Sequence, residues 1–214
     1  EHVHYAYDLE WQNLLSVWRG GYLDASGIWH QRGGIQQVVP LGAALELGSG
    51  PSLAVLESAH DDWPNPEAAA RKAAGEDFIS DDNGSGPPTA LINLPSPLTS
   101  QGYTLAPNGQ PTFHFTAYGI AVEDRWNVSP EHDGLVRTLT FTQPLPRDDL
   151  YLLLAKESHI SAQSGYYILG DRKAYLDWPA DSNLIPEIHA DGADQELRVR
   201  LPAGTQSITY RLIW

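Results

Sequence analysis

Short alternating segments separated by turn signals are the feature of this sequence that most constrains its fold. From Gly102 onward, short predicted strands alternate with turn signals, a pattern that is typical of an antiparallel sandwich or barrel. The signals are Asn108-Gly109, Arg147-Asp148, Gly170-Asp171, Asp191-Gly192 and Ala203-Gly204. Parallel α/β folds need crossover helices, and the sequence pattern offers none between these segments. We therefore predict an all-β fold, an antiparallel β-sandwich, with a mutarotase-like supersandwich as a variant.

The predicted strands follow the alternation of apolar and polar residues. In the N-terminal part they cover residues 1–7, 14–23, 36–41, 43–47 and 52–58. In the C-terminal part they cover residues 135–142, 149–156, 165–169, 173–178, 187–190, 196–201 and 207–213. Between these sets, residues 102–115 predict a hairpin with Asn108-Gly109 at its tip. A chain of 214 residues can bury one large core, so we expect a single domain over residues 1–214.

Residues 61–100 interrupt the strand pattern, and we expect them to form a long surface insertion. They contain the one helix that the sequence predicts, at residues 65–74. Asn65 is suited to the N-cap, Pro66 to the first helical position and Gly75 to the end of the helix. The predicted sandwich therefore carries one short helix in this insertion.

An acidic stretch after this helix resembles the first half of a calcium loop. Asp81, Asn83 and Ser85 place side-chain oxygens at alternate positions, the spacing with which such loops bind Ca²⁺. Ile92 stands where the bidentate glutamate of the loop is expected. Calcium is thus a candidate cofactor, and a flexible acidic loop is the alternative interpretation.

Charge and composition exclude several classes of function. The chain has 13 Lys and Arg against 27 Asp and Glu, a formal charge of −14, which argues against binding nucleic acid or an anionic membrane surface. The absence of cysteine excludes disulfides, thiolate metal sites and covalent haem attachment. No apolar run reaches the ~20 residues of a membrane span, so we expect no membrane insertion. Because methionine is absent even from position 1, we expect a processed chain or part of a longer protein.

The segment 111–141 concentrates residues that can carry chemistry. We expect two strands joined by a longer connection, with a bulge or kink at Gly119 in the first strand. His114 and Tyr118 fall on the face opposite the apolar positions and are candidate site residues. Glu123 and Asp124 are adjacent and point to opposite faces of a strand, so at most one of them addresses a given ligand. An ion pair with Arg137 is the structural alternative for this acidic pair.

A glycine-flanked region near the N-terminus is the second candidate. Arg19, Trp29, His30 and Arg32 combine aromatic rings with hydrogen-bonding groups, which is the combination that sugar binding requires. The alternative is that the tryptophans belong to the core and that Arg19 pairs with a carboxylate or binds carbonyl groups. We expect these residues to matter for ligand binding only where they pack beside the surface of 111–141.

Several phrases of the sequence, read together, resemble a known kind of module. They are YAYD, WRGGYLD, WHQRGG, GYTLAPNGQPTFHFTAYGIAVEDRW, GLVRTLTF and RLIW. They are similar to a β-sandwich module of large exported bacterial proteins that also carry c-type cytochrome domains and quinoprotein-like dehydrogenase domains. The resemblance implies a periplasmic or extracellular location and a cytochrome c or dehydrogenase domain or subunit as partner. Because this chain has no CxxCH, such a cytochrome would lie elsewhere in the assembly.

The sequence thus favours a non-catalytic accessory or docking module of an exported redox assembly, with carbohydrate as a candidate ligand. The first alternative is a carbohydrate-active enzyme of mutarotase-like type that uses His114, Glu123 and His30 on one sheet face. That alternative requires these side chains to converge in a concave pocket. A purely structural subunit of a larger complex is the second alternative, and it predicts a broad apolar patch.

Overall fold

The computed structural model describes residues 2–30, 38–48, 50–65 and 96–214, and in this part of the chain the structure is almost entirely antiparallel β-sheet. One short helix, α1 (Ser26–His30), lies in the N-terminal part. The strands are β1 (Val3–Asp8), β2 (Asn13–Arg19), β3 (Leu23–Asp24), β4 (Val39–Pro40), β5 (Ala44–Glu46), β6 (Leu53–Val55), β7 (Leu98–Leu105), β8 (Pro111–Ala117), β9 (Ile120–Val128), β10 (Gly134–Phe141), β11 (Leu150–Glu157), β12 (Ile160–Gln163), β13 (Tyr166–Leu169), β14 (Ala174–Asp177), β15 (Glu187–Asp191), β16 (Asp194–Leu201) and β17 (Ser207–Ile213). The predicted all-β antiparallel sandwich is confirmed.

An eight-stranded sheet, here called the large sheet, dominates the fold. Its strand order is β12-β13-β14-β17-β10-β9-β8-β7. The other sheets are β15-β16-β11-β6, β1-β2-β5 and the two-stranded β3-β4. The C-terminal strand β17 lies in the middle of the large sheet, between β14 and β10. Strands from distant parts of the sequence therefore meet on the same sheet face.

The core forms where alternate residues of the large sheet face the smaller sheets. On β10, Leu135, Arg137, Leu139 and Phe141 are buried, whereas the alternate residues Val136, Thr138 and Thr140 are partly exposed. Strand β11 is buried on both faces, because Leu152 belongs to the main core and Leu153 to a second cluster around Trp63. Because successive side chains of a strand point to opposite faces, the other face of the large sheet is exposed to solvent.

The central segment differs from its prediction. It contains three strands rather than two, because β8 and β9 are joined by a tight turn at Tyr118 and Gly119. Both turn residues have positive φ, 50° and 81°, the conformation of the two-residue hairpin turn that matches the twist of the flanking strands. The change of phase at Gly119, which predicted a bulge, is the reversal of the chain itself. His114 consequently pairs with Glu123 across the hairpin.

Two local elements lie outside the predictions, and the predicted helix lies almost wholly outside the described residues. Helix α1 is missed by the sequence pattern; at its start the carboxylate of Asp24 accepts a hydrogen bond from the backbone N–H of Ser26 at 2.8 Å. Strand β12 is also missed. The helix expected at residues 65–74 falls, apart from Asn65, outside the described residues. Within the described part of the chain, no helix is long and apolar enough to span a bilayer.

Candidate functional site on the outer face of the large sheet

The outer face of the large sheet brings together two tyrosines, a carboxylate and an arginine from three strands. Tyr166 on β13 pairs with Asp177 on β14, and Tyr175 on β14 pairs with Ile213 on β17. Asp177 also pairs with Arg211. Because directly paired residues share a sheet face, these five side chains lie on one surface. We call this surface the tyrosine groove.

The tyrosine groove is a shallow concavity with a volume of about 290 Å³. The rings of Tyr166 and Tyr175 have centroids 5.9 Å apart at an angle of 69°. The hydroxyl of Tyr166 donates a hydrogen bond to Gln163 Oε1 at 2.6 Å, which fixes the ring. This volume lies just below the ~300–1,000 Å³ range of small-molecule sites.

Arg211 organises the polar side of the groove. Its Nη2 donates to Asp177 Oδ2 at 2.7 Å and its Nη1 donates to Glu131 Oε2 at 2.8 Å. Asp133 Oδ2 lies 3.7 Å from Nη1. The hydrogen bond to Asp177 raises the pKa of Arg211, so this group stays charged. One guanidinium among three carboxylates leaves a local excess of negative charge, which disfavours anionic ligands.

A second concavity, the hairpin groove, adjoins the first across Tyr166. It has a volume of about 270 Å³ and lies between the β12–β13 hairpin and residues 178–186. Its loop wall is fixed by two hydrogen bonds, from Trp178 Nε1 to Leu184 O at 2.9 Å and from the Tyr167 hydroxyl to Pro186 O at 3.1 Å. Tyr166 lines both grooves.

The predicted pair His114 and Glu123 also lies on the outer face, on the other half of the large sheet. His114 Nδ1 is 3.8 Å from Glu123 Oε1, and His114 Nε2 is 2.9 Å from the Thr104 hydroxyl. Glu123 is 43 % exposed. The two side chains are thus neighbours on an open strand surface, and neither lines the tyrosine groove or the hairpin groove.

Asp124 points into the interior. It forms an ion pair with Arg137 in which neither side chain is exposed, and it accepts a hydrogen bond from the Tyr7 hydroxyl at 2.9 Å. Burial, followed by the charge of Asp124, raises the pKa of Tyr7 well above its ordinary value. The adjacent acids Glu123 and Asp124 therefore face opposite sides of the sheet, as the alternation predicts, and Asp124 is inaccessible to a surface ligand.

Tyr118 and Arg19 take part in contacts within the protein. The guanidinium of Arg147 lies 5.7 Å from the centre of the Tyr118 ring, and burial raises the pKa of Tyr118. Arg19 Nη1 donates to the backbone oxygen of His132 at 2.8 Å, and its guanidinium lies 5.0 Å from the ring centre of Trp214. Arg19 thus binds a backbone carbonyl group, which was one of the structural roles expected for it as an alternative to ligand binding.

The other predicted site residues cannot be placed in a site. Trp29 and His30 belong to α1, and their side chains lie outside the described part of the structure. Arg32 and the candidate calcium ligands Asp81, Asn83 and Ser85 lie outside the described residues. Among the described residues, no group of three or more His, Asp or Glu side chains is arranged to hold a metal ion.

Two further cavities fit the requirements of a ligand site less well. A cavity between the sheets, lined by Leu14, Trp126 and Tyr210 among others, has a volume of only about 30 Å³, which is the room that water requires. A polar pocket of about 270 Å³ is lined by Lys156, Asp191 and Glu196. Lys156 forms ion pairs with both acids. Trp63, which also lines this pocket, is buried and donates its indole N–H to Pro51 O at 2.9 Å, so it offers little ring face to a ligand.

The residues of the tyrosine groove lie within predicted strands but were not predicted as a site. The alternation in AYLD places Tyr175 at an outward position, and an outward aromatic residue is a recognisable signal. The segment YYIL has no such alternation to single out Tyr166. The register that places these tyrosines beside Arg211 depends on pairing between strands more than thirty residues apart in the sequence. Local alternation in the sequence does not predict such a register. Comparison with family models, curated proteins and solved structures found no match to this chain.

Proposed function

We propose that this chain is a non-catalytic β-sandwich module that binds carbohydrate through the tyrosine groove. The observation that supports this proposal most strongly is the presence of Tyr166 and Tyr175 beside the Asp177–Arg211 ion pair on one solvent-facing surface. Aromatic faces stack on the C–H faces of sugars, and charged groups form strong hydrogen bonds with hydroxyl groups. Both kinds of contact are available within this one concavity.

The scaffold suits binding because the groove is built on strands. Residues on β13, β14 and β17 are held by their ladders, so little conformational entropy is lost when a ligand binds. The excess of carboxylates around Arg211 favours neutral sugars over acidic ones. The module would therefore select its ligand by ring stacking and by hydrogen bonds to hydroxyl groups.

We place this module in an exported bacterial redox assembly, in the periplasm or outside the cell, where it docks a cytochrome c or dehydrogenase partner. This part of the proposal is supported by the sequence phrases that resemble such modules. The phrases fall largely on structural strands, including β8, β9, β10 and β17. Purification of the native complex from its source tests the context; isolation without any cytochrome or dehydrogenase would contradict it.

The enzyme alternative has weaker support. His114 and Glu123 do share a face and lie 3.8 Å apart. However, they lie outside the described grooves, and Asp124 faces the core. An enzyme would need substrate held against these groups.

A panel of soluble neutral polysaccharides in affinity electrophoresis tests the binding function. We expect at least one polysaccharide to retard the wild-type chain and the Tyr175→Ala variant to lose this retardation. Tyr103→Ala is the matched control, because Tyr103 is 57 % exposed on strand β7 at the opposite edge of the same sheet. Absence of retardation by the whole panel, or equal loss in both variants, would contradict the proposed site.

A further inference from the structure

We infer that the ligand is an uncharged oligosaccharide chain of at least two linked units, which runs from the tyrosine groove across Tyr166 into the hairpin groove. This inference rests on the proposed function and specifies its ligand class. The tyrosine groove alone, at about 290 Å³, has room for only a small ligand by the scale of known sites. A chain would use the adjoining 270 Å³ as well.

The shared wall is the geometric basis of this inference. Tyr166 lines both grooves, and it is held by its hydrogen bond to Gln163, which itself lines the hairpin groove. In the inferred arrangement, the chain passes over Tyr166 from one groove into the other. If each groove bound its own monosaccharide independently, the two grooves would have no need to share Tyr166.

The lining of the hairpin groove specifies the charge of the ligand. None of the residues that line it carries a formal charge; they include Gln163, Ser182 and Ile185, together with the aromatic residues Tyr166, Tyr167 and Trp178. Backbone and amide groups beside aromatic rings suit hydroxyl-bearing, uncharged rings. Since the tyrosine groove has excess carboxylate, a chain of uronic acids would be repelled at one end and would gain no ion pair at the other.

The hairpin groove is also preorganised. The indole N–H of Trp178 and the hydroxyl of Tyr167 each hold the backbone of the facing loop. Ile185 on that loop is 76 % exposed and lines the groove, where a second sugar ring would cover it. An exposed apolar side chain on a fixed wall gains contact area without a cost in loop ordering.

Titration calorimetry with mono-, di- and hexasaccharides of a neutral polymer bound in the panel tests the inference. We expect the wild-type chain to bind the hexasaccharide at least about tenfold more tightly than the monosaccharide, equivalent to about 1.4 kcal/mol. Ala162 lines the hairpin groove but not the tyrosine groove. Ala162→Trp, which fills the hairpin groove, should therefore remove this gain and leave monosaccharide affinity unchanged. Ile185→Ser should reduce the gain in the same direction, and Tyr175→Ala should weaken all lengths.

The possible failures are distinguishable. If Tyr175→Ala weakens binding while Ala162→Trp and Ile185→Ser leave the hexasaccharide affinity unchanged, the ligand does not enter the hairpin groove and only the proposed function stands. Equal affinity for oligogalacturonate would overturn the inference that the ligand is uncharged. If none of the neutral oligosaccharides binds, both the proposed function and the inference are wrong. Unfolding curves of each variant confirm that its fold is intact.

Discussion

Arg137 and Asp124 form a bidentate ion pair in the interior, between adjacent strands of the large sheet. The distances are 3.0 Å from Nε to Oδ1 and 2.8 Å from Nη2 to Oδ2, and neither side chain is exposed. Arg137 Nη2 also donates to the backbone oxygen of Gln12 at 3.3 Å. The pair thereby links the large sheet to the turn between β1 and β2.

We expect Asp124→Ala to lower the free energy of unfolding by about 3–5 kcal/mol, because it leaves the Arg137 charge buried and unpaired. The double variant Asp124→Leu with Arg137→Met should be less destabilised than Asp124→Ala, since it removes both charges. Arg125→Met is the surface control and should change stability by less than about 0.5 kcal/mol. Urea unfolding of the four proteins measures these differences, and a loss below about 1 kcal/mol in Asp124→Ala would contradict the interpretation.

The tyrosines near this ion pair predict a loss of stability at alkaline pH. Burial, followed by the charge of Asp124, raises the pKa of Tyr5 from 10.0 to about 12. Above pH 10.0 the unfolded chain releases this proton while the folded chain retains it, so rising pH favours unfolding. The contribution of protonated Tyr5 to the stability of the fold is fully present below pH 10.0 and is lost as the pH rises towards about 12.

Tyr5→Phe isolates this effect. The Tyr5 hydroxyl is buried and has no hydrogen-bond partner among the described residues, so its removal should not lower stability at neutral pH. The variant should also lose less stability than the wild type as the pH rises above 10.0. Urea unfolding over this pH range measures both, and a steeper loss in Tyr5→Phe would contradict the assignment.

Gly134 is required by the close approach of two strands. A methyl group on Gly134 would lie 1.9 Å from the backbone oxygen of Leu212 on β17, so Gly134→Ala must separate β10 from β17. We expect a loss of more than about 3 kcal/mol. Gly109→Ala, at a φ of +80° with no atom near the new methyl group, should cost only about 1–2 kcal/mol. Denaturant unfolding compares the two, and equal losses would contradict the steric explanation.

Local patterns in the sequence predicted much of the sheet. The predictions at 135–142, 149–156 and 207–213 match β10, β11 and β17 to within one residue at each end, because alternation and turn chemistry are local. The turn at Tyr118 and Gly119 was misread as a bulge, since alternation resumes after it with only a change of phase. The position of β17 between β14 and β10 could not be predicted from the sequence, because pairing between distant strands determines it.

The candidate site was harder to predict than the fold. The sequence drew attention to Asp124 because a carboxylate can act on a ligand, yet Arg137 on the adjacent strand compensates its charge in the core. His114 was expected on the outward face, whereas the choice between Glu123 and Asp124 was left open; the structure shows Glu123 beside His114. The tyrosine groove depends on the register between β13, β14 and β17, so its residues are ordinary strand positions until the sheet is assembled.

Chemical-shift mapping of the isotope-labelled chain with a neutral oligosaccharide from the panel tests the central claim most directly. We predict that the backbone amide signals of Tyr166, Tyr175, Asp177 and Arg211 shift progressively with added oligosaccharide, and that the signals around His114 and Glu123 do not. Perturbations centred on His114 and Glu123, or the absence of any perturbation at the tyrosine groove, would contradict the account.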